Sequence, residues 1–84
     1  MTFTEDFYLN SIEKLSSLSD DELIHSFNKE VGNLGWTSTR GAYLSALNDA
    51  ISQRNFKGTP LIIKGGRMSI KRHISLRNNQ LELV

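Results

Sequence analysis

The sequence has no cysteine and a single proline, Pro60. The missing thiols exclude disulfide staples, cysteine-ligated zinc and thiol catalysis together. Long apolar runs are absent too: nothing approaches the roughly 18 consecutive apolar residues of a membrane-spanning helix. The opening segment MTFTEDFYLN is acidic where a secretory signal is basic, and it has no apolar centre. These features predict a cytosolic protein without membrane partners.

Recognisable catalytic patterns are also scarce. The two histidines, His25 and His73, stand far apart with no HxxxH or HExxH spacing, so both read as surface residues and no metal is expected. Asp20, Asp21 and Glu22 form an acidic cluster, but their place at a helix start accounts for them. Lys64-Gly65-Gly66-Arg67 is glycine-rich and basic, yet it lacks the phosphate-loop pattern and no helix is expected after it. No nucleophile elbow surrounds any serine. A non-enzymatic protein without a cofactor is the expectation.

At 84 residues the chain suits one domain, 1–84, which buries roughly 60–65% of its unfolded surface. The net charge of +1 hides an asymmetry. Residues 1–35 carry seven acids and two lysines, a balance of −5, and residues 36–84 carry eight Lys or Arg and two acids, a balance of +6. Such a split hints at a charged partner.

Periodicity predicts three helices. Phe7, Tyr8, Ile12, Leu15 and Leu18 share a stripe, with Phe3 at its edge, giving a helix over about 4–16. Ser19 and Glu22 make a capping box for a second helix carrying Leu23, Ile24, Phe27 and Val31, with Gly32 placed to end it. The loop 33–36 follows, and the TSTR segment at 37–40 offers caps for a third helix. That helix has Tyr43, Leu44, Leu47, Ala50 and Ile51 on one face and Ser45, Asn48, Asp49 and Ser52 on the other. It should end near Arg54 or Asn55.

After Pro60 the period changes to two. Residues 61–64 read as a strand, Gly65-Gly66 as a turn, and Met68, Ile70, Ile74 and Leu76 as one face of a second strand. Asn78-Asn79 forms a further turn, pairing Leu76 with Leu81 and Ile74 with Leu83. The resulting expectation is an α+β domain: three N-terminal helices packed on a C-terminal three-stranded antiparallel β-meander, with Leu44, Leu47 and Ile51 against Ile70, Ile74 and Leu81.

Residues 64–84 hold five Lys or Arg and one His ahead of their one acid, Glu82. Alternation puts Arg67, Lys71, His73 and Arg77 on the polar face of the second strand, with Lys64 near the turn. Arg72 breaks the pattern by falling in the apolar register. The bland account is a solvated face whose cations discourage edge pairing. The functional account is a surface for nucleic acid or another anionic partner, made of Lys64, Arg67, Lys71, His73 and Arg77. Base stacking would need exposed aromatics on that face, and alternation places none there.

A second candidate surface, for protein contact, comprises Trp36, Arg40, Gly41 and Ser45. Trp36 is expected as a lid over the core, and its exposure would instead mark a binding surface. Arg40 and Tyr43 lie one turn apart and read as a snorkelling arginine beside a core tyrosine. Gly41, Ala42, Ser45 and Ala46 form small pairs at helical spacing. They admit a close helix, either α-helix one or two of the same chain or a second copy in a homodimer.

The run FNKEVGNLGWTSTRGAYLSALNDAI, residues 27–51, resembles a segment of small uncharacterised bacterial proteins of the domain-of-unknown-function kind. GGRMSIKRHISLRNNQLEL, residues 65–83, is similar to their basic C-terminal strands. The resemblance implies a bacterial cytosolic protein and carries over no activity, cofactor or site residue. The expected role is a module acting through protein–protein contacts. The alternative is a winged-helix-like nucleic-acid-binding protein. There Ser38, Thr39, Arg40, Ser45 and Asn48 would face the major groove, with the basic hairpin as the wing.

Overall fold

The first helix, α1, spans Phe3–Ser16 and follows from the acids Glu5 and Asp6 in its first turn, where they complement the helix dipole. A computed structural model describes residues 3–33 and 35–84; Met1, Thr2, Leu34 of the expected loop and the side chain of Phe3 lie outside the described residues. Leu15 and Ser11 are buried on α1, and Tyr8, Ile12 and Leu18 pack partly against the core. Helix α2 covers Asp20–Glu30 and α3 covers Ser38–Gln53. The capping box forms as expected: Ser19 N–H donates to Glu22 Oε1 at 3.1 Å, and Glu22 N–H donates to Ser19 Oγ at 3.2 Å. Of the possible caps before α3, Thr37 is used, its hydroxyl accepting from Arg40 N–H at 3.1 Å.

The core is built where the three helices meet the C-terminal hairpins. Leu23, Phe27, Leu47, Ile51, Ile74 and Leu81 are its largest fully buried side chains. Leu44 and Ile70 pack against the same cluster from its edge. On α3, Ala42, Ala46 and Ala50 are buried. Their small side chains let α1 lie close, and this is the most extensive helix contact in the fold. Tyr8 of α1 donates a hydrogen bond to Asp49 of α3 at the rim. This bond and burial hold the phenol above its ordinary pKa.

Arg54, at the C-cap of α3, ties the helices together. Its guanidinium donates to Asp20 Oδ1 at 2.5 Å and to the carbonyls of Leu15 at 3.2 Å, Ser16 at 3.4 Å and Leu18 at 2.7 Å. The carbonyls of Leu15 and Ser16 belong to the last turn of α1 and that of Leu18 lies just beyond it, where a helix runs short of backbone donors. Phe56 then enters the core with 5% exposure; its polar sequence neighbours show no periodicity that marks it.

The C-terminal third corrects the expected three-stranded meander. The strands form two separate two-stranded antiparallel sheets, β1 (Ile63–Lys64) with β2 (Arg67–Met68), and β3 (Ile74–Arg77) with β4 (Gln80–Leu83). A single-turn 3₁₀ helix, Thr59–Leu61, occupies the start of the expected first strand, because Pro60 fixes a turn there. The long second strand breaks between Met68 and Ile74. Ser69 N–H still donates to Ile62 carbonyl at 2.7 Å, but Ile70 carbonyl accepts from Gly32 N–H at 3.2 Å, turning the chain toward the end of α2. The bend falls at Lys71 and Arg72, where the apolar alternation fails. Arg72 is exposed and donates to the Val84 carbonyl at 3.0 Å.

Both turns behave as their residues predict. Gly65 and Gly66 have φ of +58° and +77°, and Asn78 and Asn79 have φ of +53° and +63°. Positive φ at two successive residues gives a turn whose twist suits a hairpin. The register Arg77↔Gln80, Leu76↔Leu81 and Ile74↔Leu83 is the one the apolar pairs require.

Candidate functional site

Trp36 is 72% exposed and so is not the lid over the core expected of it. Its indole lies on α3 at Gly41. A Cβ at position 41 would stand 2.8 Å from Cζ2 and 2.9 Å from Cη2 of the ring. Glycine is the residue that leaves this room, and at a helical position it gives up as much as ~1 kcal/mol of helix propensity relative to alanine.

Beside the indole is a depression of about 320 Å3, lined by Trp36, Gly41, Leu44, Ser45, Asn48, Arg67, Met68 and Ile70. Its volume sits at the low end of the ~300–1,000 Å3 typical of ligand pockets. A broader one of about 840 Å3 adjoins it, sharing Arg67, Met68 and Ile70 and adding Lys64, Lys71, Ser69, Gly32 and Asn33. The floor is aliphatic and the rim is cationic. Among the described residues, no acid lines either depression.

The β1–β2 hairpin supplies the cations and α3 holds the hairpin in place. Asn48, expected on a solvent or groove-reading face, donates through Nδ2 to Gly66 carbonyl at 2.8 Å. This bond fixes the turn against the helix. The register sets Lys64 opposite Arg67. Like charges directly opposed on two strands repel, by roughly 0.2–1 kcal/mol. Lys64, Arg67 and Lys71 are all exposed, and none has a side-chain hydrogen bond or ion pair among the described residues.

The two surfaces anticipated from the sequence therefore meet at Arg67. Trp36, Gly41 and Ser45 come from one, and Lys64, Arg67 and Lys71 from the other. The remaining members stand apart. Arg40 is committed inside the fold: its Nε donates to Glu30 Oε1 at 3.2 Å and its Nη1 to Gly35 carbonyl at 2.8 Å. Its side chain is only 15% exposed, and its Nη2 is buried without a partner among the described residues. Burial, and then the charge of Glu30, raise the pKa of nearby Tyr43. His73 is exposed between the two hairpins, lining neither depression. Arg77 lies on β3 and pairs with Glu82 across the second hairpin at 3.3 Å. The idea of one basic strand face fails because the bend at 71–72 separates β2 from β3.

Met68 belongs to neither candidate surface read from the sequence, and Asn48 enters there only as a groove-reading residue, not as the anchor of the hairpin. Their signal is tertiary, since they belong to elements that meet only when the hairpin docks on α3. Among the described residues, no group of three or more His, Cys, Asp or Glu could hold a metal, and no helix is long and apolar enough to cross a membrane. Comparisons with known protein families, curated proteins and solved structures find no match.

Proposed function

We propose that this protein is a non-enzymatic contact module that recognises another protein through the face of Trp36, Arg67 and the aliphatic floor between them. The exposure of Trp36 at 72%, on a seat that glycine alone leaves open, is the observation that carries this reading. Tryptophan and arginine supply a disproportionate share of interface energy, and a large exposed aromatic has no role in the chain's own core. A bacterial cytosolic setting belongs to the same proposal. The second reading, nucleic-acid binding, draws on the same exposed indole beside three unpaired cations. Its winged-helix form loses support because both arginines at the ends of α3, Arg40 and Arg54, are spent on intramolecular bonds.

The test is site-specific photo-crosslinking in the native host, with a photoreactive phenylalanine derivative at position 36 or at position 25. His25 is exposed on α2 and lines none of the depressions beside Trp36. A discrete, protease-sensitive adduct of one partner at position 36 and not at 25 is expected. Nuclease-sensitive adducts, or the same products from both positions, would overturn the proposal.

A further inference from the structure

The chemistry of the groove names its partner more closely. Resting on the contact-module reading above, we infer that the groove binds an extended acidic segment of a partner protein that carries one bulky apolar side chain. Three features converge on this occupant.

The first is charge complementarity. Lys64, Arg67 and Lys71 border one continuous depression, all exposed and without ionic partners among the described residues. Lys64 and Arg67 are forced opposite one another by the Gly65-Gly66 turn. No acid among the described residues pairs with either, and a carboxylate placed between them would relieve that repulsion. Arg77 shows the contrast, since its hairpin supplies Glu82 as a partner.

The second is the apolar floor. Leu44, Met68 and Ile70 are only half-buried; all three line the depression at Trp36, and Met68 and Ile70 also line the one bordered by Lys64 and Lys71. They offer an apolar seat for one aliphatic or aromatic side chain beside Trp36. Methionine adapts its shape to such a guest. The third is the scarcity of stacking surfaces. Among the described residues, Trp36 is the one aromatic lining the two depressions. A single-stranded nucleic acid is held by successive bases on successive aromatics, so this floor suits a peptide better.

Recognition then has two parts. The apolar side chain enters beside Trp36 and anchors the segment. Flanking carboxylates settle on Arg67 with Lys64, and on Lys71. The anchor sets residence time and the charges raise the encounter rate and make it salt-dependent.

Trp36 is the protein's one tryptophan, so its fluorescence reports occupancy directly. The probe is a synthetic twelve-residue glutamate-rich peptide with one central phenylalanine, titrated into the full chain at low and at physiological salt. Control ligands are the same peptide with glutamine for glutamate, the same with serine for phenylalanine, and a twelve-residue oligothymidylate. The acidic apolar peptide should shift the emission to the blue and shield the indole from acrylamide. Each peptide control should bind about tenfold or more weakly, a loss of one anchoring contribution. The double variant Lys64→Gln with Arg67→Gln should weaken the parent peptide by a similar factor. Circular dichroism of the variant confirms its fold. A Lys57→Gln variant, whose exposed side chain lines neither depression, separates a local effect from general charge.

No spectral response to the parent peptide up to millimolar concentration overturns the acidic-segment assignment. So does binding indifferent to the loss of glutamates or of Lys64 and Arg67. In those cases a specific protein adduct at position 36 would still uphold the contact module with a different partner chemistry. Tighter binding of the oligothymidylate than of the peptide would overturn both.

Discussion

The side-chain amide of Asn28 pairs with both backbone groups of Ile74. Its Nδ2 donates to the carbonyl at 2.9 Å and its Oδ1 accepts from the N–H at 2.8 Å. An α2 side chain thus takes the place of a neighbouring strand along the outer edge of β3. Ile74 itself is 2% exposed, so water is poorly placed to substitute. Asn28→Ala leaves one donor and one acceptor unpaired and should cost about 1–3 kcal/mol for each group that remains dry. Asn28→Asp at neutral pH sets a carboxylate against the carbonyl and should rescue little. Urea unfolding of the variants measures this; a loss for Asn28→Ala within about 0.5 kcal/mol, as for an ordinary surface site, would refute the role.

Arg54 should be the arginine whose loss the fold feels most. It serves three carbonyls near the end of α1 besides Asp20. Arg54→Lys keeps the charge and loses the planar fork, so it should behave nearly as badly as Arg54→Met. The carbonyl bonds, each to a charged donor, should make the loss about 1.5–3 kcal/mol. Asp20 is half exposed, so Asp20→Asn should cost under about 1 kcal/mol. Chemical denaturation in 0.1 and 1 M salt separates the two parts, since only the ionic one is screened.

Gly41→Ala should separate stability from function. Alanine favours the helix by up to ~1 kcal/mol, and the obstructing atoms belong to the far edge of an exposed ring that can move away. The variant should melt at or above the temperature of the parent. Its Trp36 should leave its seat, seen as red-shifted emission and faster acrylamide quenching. Unfolding by more than about 1 kcal/mol would mean that the indole is held as part of the core, contrary to its exposure.

The capping box carries a pH signature. Bonds from the Ser19 backbone N–H first, and then from its hydroxyl, hold the Glu22 carboxyl below its ordinary pKa. A depressed folded value means that the ionised form favours the fold. The stabilisation is present above the ordinary glutamate pKa of about 4.3 and is lost as pH falls through the lower folded value. Glu22→Gln keeps an acceptor at the cap and removes the charge. The melting temperature of the parent should exceed that of Glu22→Gln at pH 7, and the gap should close in acid below that window. A gap independent of pH would show that the charge plays no part.

Much of the fold can be read along the chain. The three helices, the capping box and both glycine or asparagine turns lie where local residue chemistry predicts them, and Leu47, Ile51, Ile74 and Leu81 share one core. Even the failed strand left a mark, since Arg72 interrupts the apolar alternation at the bend. The site was half legible. Both sets of residues could be nominated from their types, but nothing local said that they would meet at Arg67. Nor did it show that Arg40 would be consumed by Glu30 and Gly35.

The amino-acid sequence by itself determined what depends on neighbours a few positions apart. Ser19 and Glu22 cap because they are three residues apart, and Asn78-Asn79 turns because asparagine tolerates positive φ. Alternation likewise says which side chains point inward. It does not say which backbone edge finds which partner. Only the tertiary structure decided that Asn28 would close β3 from 46 residues away. It also decided that Ile70 would bond to Gly32 in place of a strand, splitting the sheet in two. The exposure of Trp36 belongs with these. A large aromatic is buried wherever the core has room, and here Gly41 and the hairpin held by Asn48 leave its room on the surface, beside cations that no acid among the described residues neutralises.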